Sequence, residues 1–342
     1  MKKSWQRREF IKASALAGVS VGLLGGAARA TESRFSTTAG VPNGKRVGII
    51  GLDTSHSIAF TNSLNGEKAG DKYKGYRVVA AYPRGSYEIE SSYSRIPAFT
   101  EQVKAKGVEI ANSIPELLSK VDVVLLETND GRMHREQAFQ VIDAGKPVFI
   151  DKPMANATKD VIAIFNYARK KNVPVFSSSS LRFSNGVQAV LKGKVGKVLG
   201  ADTFSPSPLE KTHTDFFWYG IHGIEMLFAL MGSGCETVTR FYRDNMDVVV
   251  GTWKDGRIGT FRGLRTAKTG YGGHVYGENA IMPLDSKYSN DDTLLKIVDF
   301  FETGKSPVPE QETIEIAAFI DAAQKSRKKK GKRISLAPYL KS

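Results

Sequence analysis

The sequence is poor in residues that make covalent cross-links or thiolate metal centres. It has one cysteine, Cys235, among 342 residues, which excludes an internal disulfide and a cluster of thiolate ligands. It also lacks a long apolar run, since its apolar N-terminal stretch, residues 13–28, is short and glycine-rich for a membrane-spanning helix. With 41% hydrophobic and 25% charged residues, the composition is that of an ordinary globular protein. The length predicts two domains, each with its own core.

The formal net charge of +14 is concentrated near the two ends of the chain. Residues 1–30 carry +5 and residues 325–333 (KSRKKKGKR) carry +7, so the rest of the chain is close to neutral. A basic run near a C-terminus is typical of a solvated helix end, where lysine also suits the helix dipole. No basic-aromatic motif accompanies it, and we therefore expect no binding to nucleic acid.

Twin arginines, Arg7 and Arg8, precede the apolar N-terminal stretch, which ends in the small-x-small sequence Ala28-Arg29-Ala30. This arrangement is typical of a twin-arginine export signal. We expect cleavage after Ala30, a periplasmic mature chain and no stable membrane anchor. The polar, turn-rich residues 31–44 are predicted to be a linker.

Short apolar runs alternate with helical patterns between residues 45 and 180. This spacing predicts a parallel, doubly wound sheet of the Rossmann type. After residue 180, four β segments between 199 and 264 surround one strong helix at about 220–231, and two helices follow near 291–303 and 310–330. We therefore predict an α/β chain in which residues 181–342 form an α+β domain with a mostly antiparallel sheet.

One of these strands, Val148-Phe149-Ile150, delivers Asp151 and Lys152 directly before Pro153. The carboxyl ends of parallel strands border the ligand crevice in such a sheet. Lys152 is therefore a candidate functional lysine, although most surface lysines are only solvated charges.

Several motifs, in order along the chain, resemble those of the Gfo/Idh/MocA oxidoreductases. The segment 145–153, GKPVFIDKP, is similar to the family's Gly-Lys-x-Val…Glu-Lys-Pro signature, with aspartate in place of glutamate. Asn129 and His134 after a buried strand resemble the Thr-Pro-Asn…His segment. Arg182-Phe183 resembles the Arg-Phe that opens the second domain, and Gly220-Ile221-His222 resembles part of the Asp-x-Gly-x-His segment.

The resemblance implies a Rossmann domain that binds NAD or NADP and a second domain that faces the nicotinamide. It implies that Lys152 polarises the substrate oxygen or relays a proton and that His222 is the acid/base. Arg182 would hold a substrate hydroxyl or carboxylate, or form an interdomain ion pair. The residues expected at the cofactor are Gly51, Asp53, Thr54, Ser55, His56, Arg84, Asn129, His134 and Lys152.

Two departures from the family pattern concern the glycine loop and the active-site aspartate. The G-x-G-x-x-G fingerprint begins at Gly51, but its second and third positions are Asp53 and His56, and a carboxylate there would repel a pyrophosphate. The family's usual aspartate is replaced by Trp218, for which Asp215 is the candidate substitute at the substrate site. Trp218 and its aromatic neighbours predict either a wall that stacks on a sugar or interdomain or subunit packing.

The end of the second predicted strand bears on the type of cofactor. It has no acid for the ribose hydroxyls, and Arg84 with Ser86 favours a 2′-phosphate and hence NADP over NAD. A metal site is also conceivable for residues of ligand type, namely His213, Asp215, His222 and Glu225. The family normally needs no metal, and we therefore expect none. The serine run 177–180 is predicted to be a strand-end loop, since no nucleophile elbow surrounds it.

The favoured function is an exported NAD(P)-dependent oxidoreductase that acts on a sugar or polyol, the substrates the resemblance implies. One alternative is a glycoside hydrolase or lyase that uses a retained dinucleotide without net redox change. Another is a catalytically silent carbohydrate-binding relative, which Asp53, His56 and Trp218 favour. The antiparallel sheet often mediates assembly in this family, and we expect a homo-oligomer.

Overall fold

The structure, a computed structural model, describes residues 45–67, 69–266 and 270–341. The predicted export signal and linker, residues 1–44, lie outside the described residues. The described residues fall within one compact unit that contains two sheets. Across these ranges, each helix is too short or too polar to cross a membrane.

The first sheet has six parallel strands in the order β3-β2-β1-β4-β5-β6. This is the strand order of a Rossmann fold, and its topological switch point lies between β1 and β4. The predicted parallel, doubly wound sheet is therefore confirmed. The strands are β1 (Arg46–Ile50), β2 (Arg77–Tyr82), β3 (Glu109–Ile110), β4 (Val123–Leu126), β5 (Val148–Asp151) and β6 (Val175–Ser178).

The central strands are buried on both faces. Every residue of β4, β5 and β6 is buried, as expected of parallel strands that are covered by helices on both sides. Local signals set the helix ends: Ser113 accepts a hydrogen bond from Glu116 N at the start of α4, and Gly145 follows α5 at φ 68. The helices of this part are α1 (Ser55–Leu64), α2 (Glu90–Tyr93), α3 (Ile96–Lys104), α4 (Ile114–Lys120), α5 (His134–Asp143) and α6 (Thr158–Lys171).

The second sheet has seven strands in the order β12-β11-β7-β10-β9-β8-β13. All of its pairings are antiparallel except the one between β10 and β7, which confirms a mostly antiparallel sheet. The four predicted segments became β7 to β10, whereas β11, β12 and β13 were not predicted. The strands are β7 (Val198–Pro206), β8 (Cys235–Arg243), β9 (Met246–Trp253), β10 (Ile258–Leu264), β11 (Gly272–Gly277), β12 (Ile281–Pro283) and β13 (Ile334–Ser335).

The remaining helices join the two sheets. α8 packs on β7 and β10, and α10 packs on β8 and on α6 of the first sheet. α9 crosses the boundary predicted at residue 180, because its Phe300 meets Phe176 of β6 edge-on with ring centroids 4.7 Å apart. These helices are α7 (Asn185–Leu191), α8 (Ile221–Met231), α9 (Asn290–Thr303) and α10 (Glu310–Lys328); shorter helical turns span Gly70–Tyr73, Ser180–Phe183 and Phe216–Gly220.

Candidate active site

A cleft lies where the carboxyl ends of β1, β4 and β5 face the first turn of α8. In an open parallel sheet this edge, beside the switch point, is where ligands bind. The cleft brings together residues that are up to 234 positions apart in the chain, from Thr54 to Tyr288. Six of the predicted site residues line it: Thr54, Ser55, His56, Asn129, Lys152 and His222.

The N-terminus of α1 opens into this cleft without a side-chain cap. Thr54 is the N-cap residue in extended backbone, and its side chain makes no capping hydrogen bond. Its Oγ1 is buried and has no hydrogen-bond partner within the described residues. Free N–H groups of a first helical turn and a spare hydroxyl together favour an anion. The loop therefore fits the phosphates of a dinucleotide.

Asp53, at the second position of the glycine fingerprint, is fully buried and is bound by two neighbouring loops. Its Oδ2 accepts a hydrogen bond from Ser86 N at 3.2 Å, and its Oδ1 accepts one from Asn129 N at 3.0 Å. Burial raises the pKa of the Asp53 carboxyl to about 6, although these hydrogen bonds oppose the rise. The carboxylate that was predicted to repel a pyrophosphate thus ties the loop after β1 to the loops after β2 and β4.

Two glycines allow this close approach of the loops. A Cβ on Gly85 would lie 2.0 Å from Asp53 Oδ2, so a larger residue would displace the carboxylate. Gly51 has φ 91, and a Cβ there would lie 2.5 Å from Thr128 N. Gly51, the first glycine of the fingerprint, therefore serves the contact between the ends of β1 and β4.

Lys152 follows directly after β5 and reaches the cleft from the first sheet. Its side chain is mostly buried, and its Nζ lies 5.6 Å from the ring centroid of Tyr219. This distance suits a cation–π contact. A partly desolvated ammonium at the strand end can donate hydrogen bonds to an oxygen of a bound ligand.

His222 reaches the same cleft from the first turn of α8. Its Nδ1 is 2.7 Å from Ser179 Oγ, which also accepts a hydrogen bond from Leu181 N. Burial, with the Lys152 ammonium as a second cause, lowers the pKa of His222 well below its usual value. The imidazole is therefore neutral at ordinary pH. One of its two ring nitrogens, Nδ1, is hydrogen-bonded to Ser179.

A second group of ionisable residues lies at the base of the cleft. His56 Nδ1 is 3.1 Å from Asp151 Oδ1. Burial alone would raise the pKa of Asp151, but the nearby His56 and Lys152 outweigh it and hold that pKa at about 2. Glu127, at the end of β4, is fully buried, and burial together with the Asp151 carboxylate raises its pKa well above its usual range.

Three predicted site residues contact other parts of the first sheet or its loops and do not line the cleft. His134 is buried between two carbonyl groups, with Nδ1 2.8 Å from Pro153 O and Nε2 2.6 Å from Thr128 O. It thus ties the loop after β4 to the loop after β5 and does not line the cleft. Arg84 donates to Tyr87 Oη at 3.0 Å at the edge of a separate pocket of about 270 Å³. Ser86, its expected partner for a 2′-phosphate, instead donates to Asp130.

The predicted substrate residues of the second domain also lie outside the cleft. Arg182 is buried in an ion pair with Glu225 at 2.8 Å and a second one with Glu312, so the alternative of a structural ion pair describes its environment. Asp215 pairs with Arg240 and Arg327.

Trp218 is buried, with its ring centroid 5.2 Å from that of His213. It packs inside the protein, and the cleft wall is made by its neighbour Tyr219. His213 and Glu225, two of the four residues weighed as metal ligands, lie in these separate environments. The group does not converge on one point.

Several cleft residues could not be predicted from the sequence because no motif marks them. Tyr271 and Tyr288 lie in segments without a recognised pattern, and Arg95 lies in the turn before α3. The serine run, interpreted as a plain loop, contains the partner of His222. Tyr219 was predicted as an aromatic neighbour of Trp218, and the cleft residues that were not predicted are Arg95, Asp151, Ser180, Leu181, Tyr271 and Tyr288.

The first sheet and its helices are similar to a described family of proteins. Residues 45–179 match the model of an oxidoreductase family with an NAD-binding Rossmann fold. A protein of Streptococcus pneumoniae described as an uncharacterized oxidoreductase is 28% identical over 150 residues. That match spans 39% of this chain and 41% of the relative, so it covers less than half of either protein.

Solved structures resemble the chain over most of its length. A probable dehydrogenase from Thermotoga maritima has a TM-score of 0.70 at 22% identity and covers 86% of this chain and 99% of its own. A scyllo-inositol dehydrogenase from Lactobacillus casei, solved with NAD(H) and scyllo-inositol, has a TM-score of 0.69 at 15% identity, with 85% and 99% covered. At these identities the likeness shows a shared fold.

Proposed function

We propose that the protein is a member of the Gfo/Idh/MocA oxidoreductases, whose model residues 45–179 match, and that it is an NAD(P)-dependent oxidoreductase of a sugar or polyol. The observation that carries the proposal is the meeting of Lys152 and His222 in one cleft, beside the uncapped N-terminus of α1. A nearly buried ammonium and a neutral imidazole are the groups that oxidation of a secondary alcohol requires.

The phosphates of the dinucleotide would lie at Thr54, Ser55 and the first N–H groups of α1. A dinucleotide bound there would supply the hydride acceptor for oxidation of the carbon that carries the hydroxyl group. Asn129 is fixed at this edge, since its Nδ2 donates to Ser92 Oγ at 2.9 Å. Arg84 and Tyr87 border the separate pocket beside the end of β2, which supports a preference for NADP through Arg84 alone.

The two candidate catalytic residues have different roles because one is a cation and the other is neutral. The Lys152 ammonium donates a hydrogen bond to the substrate oxygen and stabilises negative charge that develops on it. His222, which burial keeps neutral, accepts the hydroxyl proton on the ring nitrogen that Ser179 does not occupy. The mostly buried position of Lys152 strengthens its electrostatic effect relative to a lysine in water.

The wall of the cleft supports a polyhydroxylated substrate. Tyr219, Tyr271 and Tyr288 line it, and tyrosine combines a ring face for C–H groups with a hydroxyl for hydrogen bonds. Tyr271 lies against His222 with ring centroids 5.7 Å apart. The fold shared with a scyllo-inositol dehydrogenase is consistent with a cyclic polyol or sugar.

The first test is cofactor content. The purified full chain is denatured, and its supernatant is assayed for nicotinamide dinucleotide by mass and absorbance. Release of about one equivalent, or binding of added NAD or NADP, is expected. The absence of both would refute the proposal and favour the silent carbohydrate-binding relative. A loaded protein that cleaves a glycoside without accumulating reduced cofactor would instead indicate the hydrolase or lyase.

The second test concerns the two catalytic residues. Lys152→Ala and His222→Ala should each lower kcat by about 10²–10⁴-fold, the usual contribution of a positioned acid or base, with dinucleotide binding retained. Lys159→Ala, the same change on the exposed first turn of α6, is the matched control and should have wild-type activity. Full activity in Lys152→Ala would refute its assignment.

We further propose that the protein is exported, as its twin arginines Arg7 and Arg8 indicate. We also propose that it forms a homo-oligomer through its second sheet. Phe241, Ile258 and Ile281 of this sheet are 59%, 54% and 68% exposed, and β9 alternates half-buried with buried residues. Burial of such apolar side chains against a second copy would stabilise a dimer. Val250→Glu on the half-buried face of β9 should shift the molar mass measured by light scattering towards the monomer, and an unchanged mass would refute this interface.

A further inference from the structure

Glu127 has the least compensated environment of the ionisable residues near the cleft. It is fully buried at the end of β4, and neither Oε1 nor Oε2 has a hydrogen-bond partner among the described residues. A buried carboxylate without a partner lowers the free energy of unfolding by roughly several kcal/mol, unless it is neutralised or binds a cation. This position therefore requires an explanation that the dinucleotide chemistry does not supply.

Two further ligand-type side chains converge on Glu127 from separate elements. His56 comes from α1 and Asp151 from the end of β5, and one ligand atom of each of the three residues lies within 4.8 Å of the other two. Metal bonds of about 2.0–2.2 Å to nitrogen and oxygen would place neighbouring ligand atoms about 3 Å or more apart. The 3.1 Å between His56 Nδ1 and Asp151 Oδ1 fits that requirement, as it also fits a direct hydrogen bond.

The charge balance of the buried region distinguishes these two arrangements. Asp53, Glu127 and Asp151 are three buried carboxyl groups, and the mostly buried Lys152 follows Asp151 directly in the chain. A hydrogen bond between His56 and Asp151 leaves Glu127 without any partner. A divalent cation that binds His56, Glu127 and Asp151 would give Glu127 a partner and balance the charge of two carboxylates.

We propose that His56, Glu127 and Asp151 bind one divalent transition-metal ion at the base of the cleft. One imidazole nitrogen and two carboxylate oxygens suit Zn²⁺, Mn²⁺ or Fe²⁺ better than Ca²⁺, which prefers six to eight oxygen ligands. Three protein ligands leave coordination positions for water or a substrate oxygen, as in other catalytic sites with an open position. His56 and Asp151 both line the cleft, as Lys152 does, so a bound ion would lie beside the cleft.

The site differs from the metal interpretation of the sequence in all of its residues. It also does not depend on the proposed redox activity, because metal binding is measured without dinucleotide or substrate. His56 stands at the third position of the degenerate glycine fingerprint. A metal ligand there would explain why a histidine occupies a position where a dinucleotide loop usually has glycine.

The test is a titration of the full chain, without a histidine tag, after removal of metals with a chelator and dialysis. Mn²⁺ is followed by the loss of its free electron paramagnetic resonance signal, and Zn²⁺ by mass spectrometry after gel filtration. We expect one equivalent per chain in the wild type. Glu127→Gln and His56→Ala should each weaken binding by on the order of 100-fold or more, since each removes one of three ligands.

Two controls separate ligand loss from unfolding and from surface binding. Glu136→Gln makes the same chemical change on the exposed face of α5 and should bind one equivalent as the wild type does. Metal-free Glu127→Gln should melt at or above the melting temperature of the metal-free wild type, because it removes the uncompensated carboxyl group. Added metal should then raise the melting temperature of the wild type and of Glu136→Gln, but not that of Glu127→Gln. Wild type that binds no metal, or Glu127→Gln and His56→Ala variants that bind like wild type, would overturn the proposal.

Discussion

Replacing Asp53 by asparagine should change how the stability of the protein depends on pH. Burial raises the pKa of this carboxyl from 3.8 to about 6. A raised folded-state pKa means that the folded chain binds the proton more tightly than the unfolded chain. The resulting stabilisation is full below the unfolded pKa and is lost as the pH rises through about 6.

The magnitude follows from the two pKa values. A change from 3.8 to about 6 corresponds to roughly 3 kcal/mol in the free energy of unfolding. Asparagine resembles the protonated carboxyl and does not titrate. Its amide also places a donor against Ser86 N or Asn129 N, but this cost is the same at every pH. Relative to Asp53→Asn, the wild type should therefore lose about 2–3 kcal/mol between about pH 4 and pH 7.5.

The measurement is urea unfolding of both proteins at a series of pH values, followed by circular dichroism. Asp122→Asn is a control of opposite sign, because the hydrogen bond from Arg46 holds the pKa of Asp122 below its usual value in spite of partial burial. Its wild-type contribution is present above the unfolded pKa and is lost as the pH falls. Parallel pH dependences of wild type and Asp53→Asn would refute the reasoning, since they would show that Asp53 ionises alike in both states.

Three further predictions concern helix α8 and the residues that bind its side chains. Arg182→Met should lower the free energy of unfolding by about 3–5 kcal/mol, because it leaves Glu225 and Glu312 buried without their cation. A loss below about 1 kcal/mol, measured by urea unfolding, would contradict the buried ion pair. Ser179→Ala should lower kcat by about 10-fold or more with cofactor affinity unchanged, since it frees His222 Nδ1, and steady-state kinetics with separate dinucleotide titration would show it. Because the pKa of His222 is well below its usual value, protonation of this residue should not lower kcat/KM near pH 6.5. If kcat/KM of the wild type falls at that pH and kcat/KM of His222→Asn does not, the neutral imidazole is disproved.

The elements of the first sheet were predictable because their signals are local. Runs of Val, Ile and Leu between helical patterns predict buried parallel strands, and each predicted strand of this sheet appears in the structure within a few residues. Lys152 was found for the same reason, since its position at a strand end follows from the strand itself. Family motifs supplied His222, although its distance along the chain from Lys152 gave no local signal.

Side-chain partners were not predictable, because they depend on which elements meet in three dimensions. Arg182, Asp215 and Trp218 have residue types suited to a substrate, yet each is held by a partner from elsewhere in the fold. In the opposite direction, Tyr271 and Tyr288 line the cleft without any motif. Sequence spacing cannot decide between an ion pair and a binding site when both use the same residue type.

Local residue patterns indicate the alternation of strands and helices, the fingerprint position of Asp53 and the strand-end position of Lys152. Only the packed fold shows that the Asp53 carboxylate binds two loops, and that ligand atoms of His56, Glu127 and Asp151 lie within 4.8 Å of one another. Hydrophobic periodicity is a property of neighbouring residues and survives in the sequence. The free energy of a buried charge depends on the groups around it, and those groups are brought there only by the packing of distant elements.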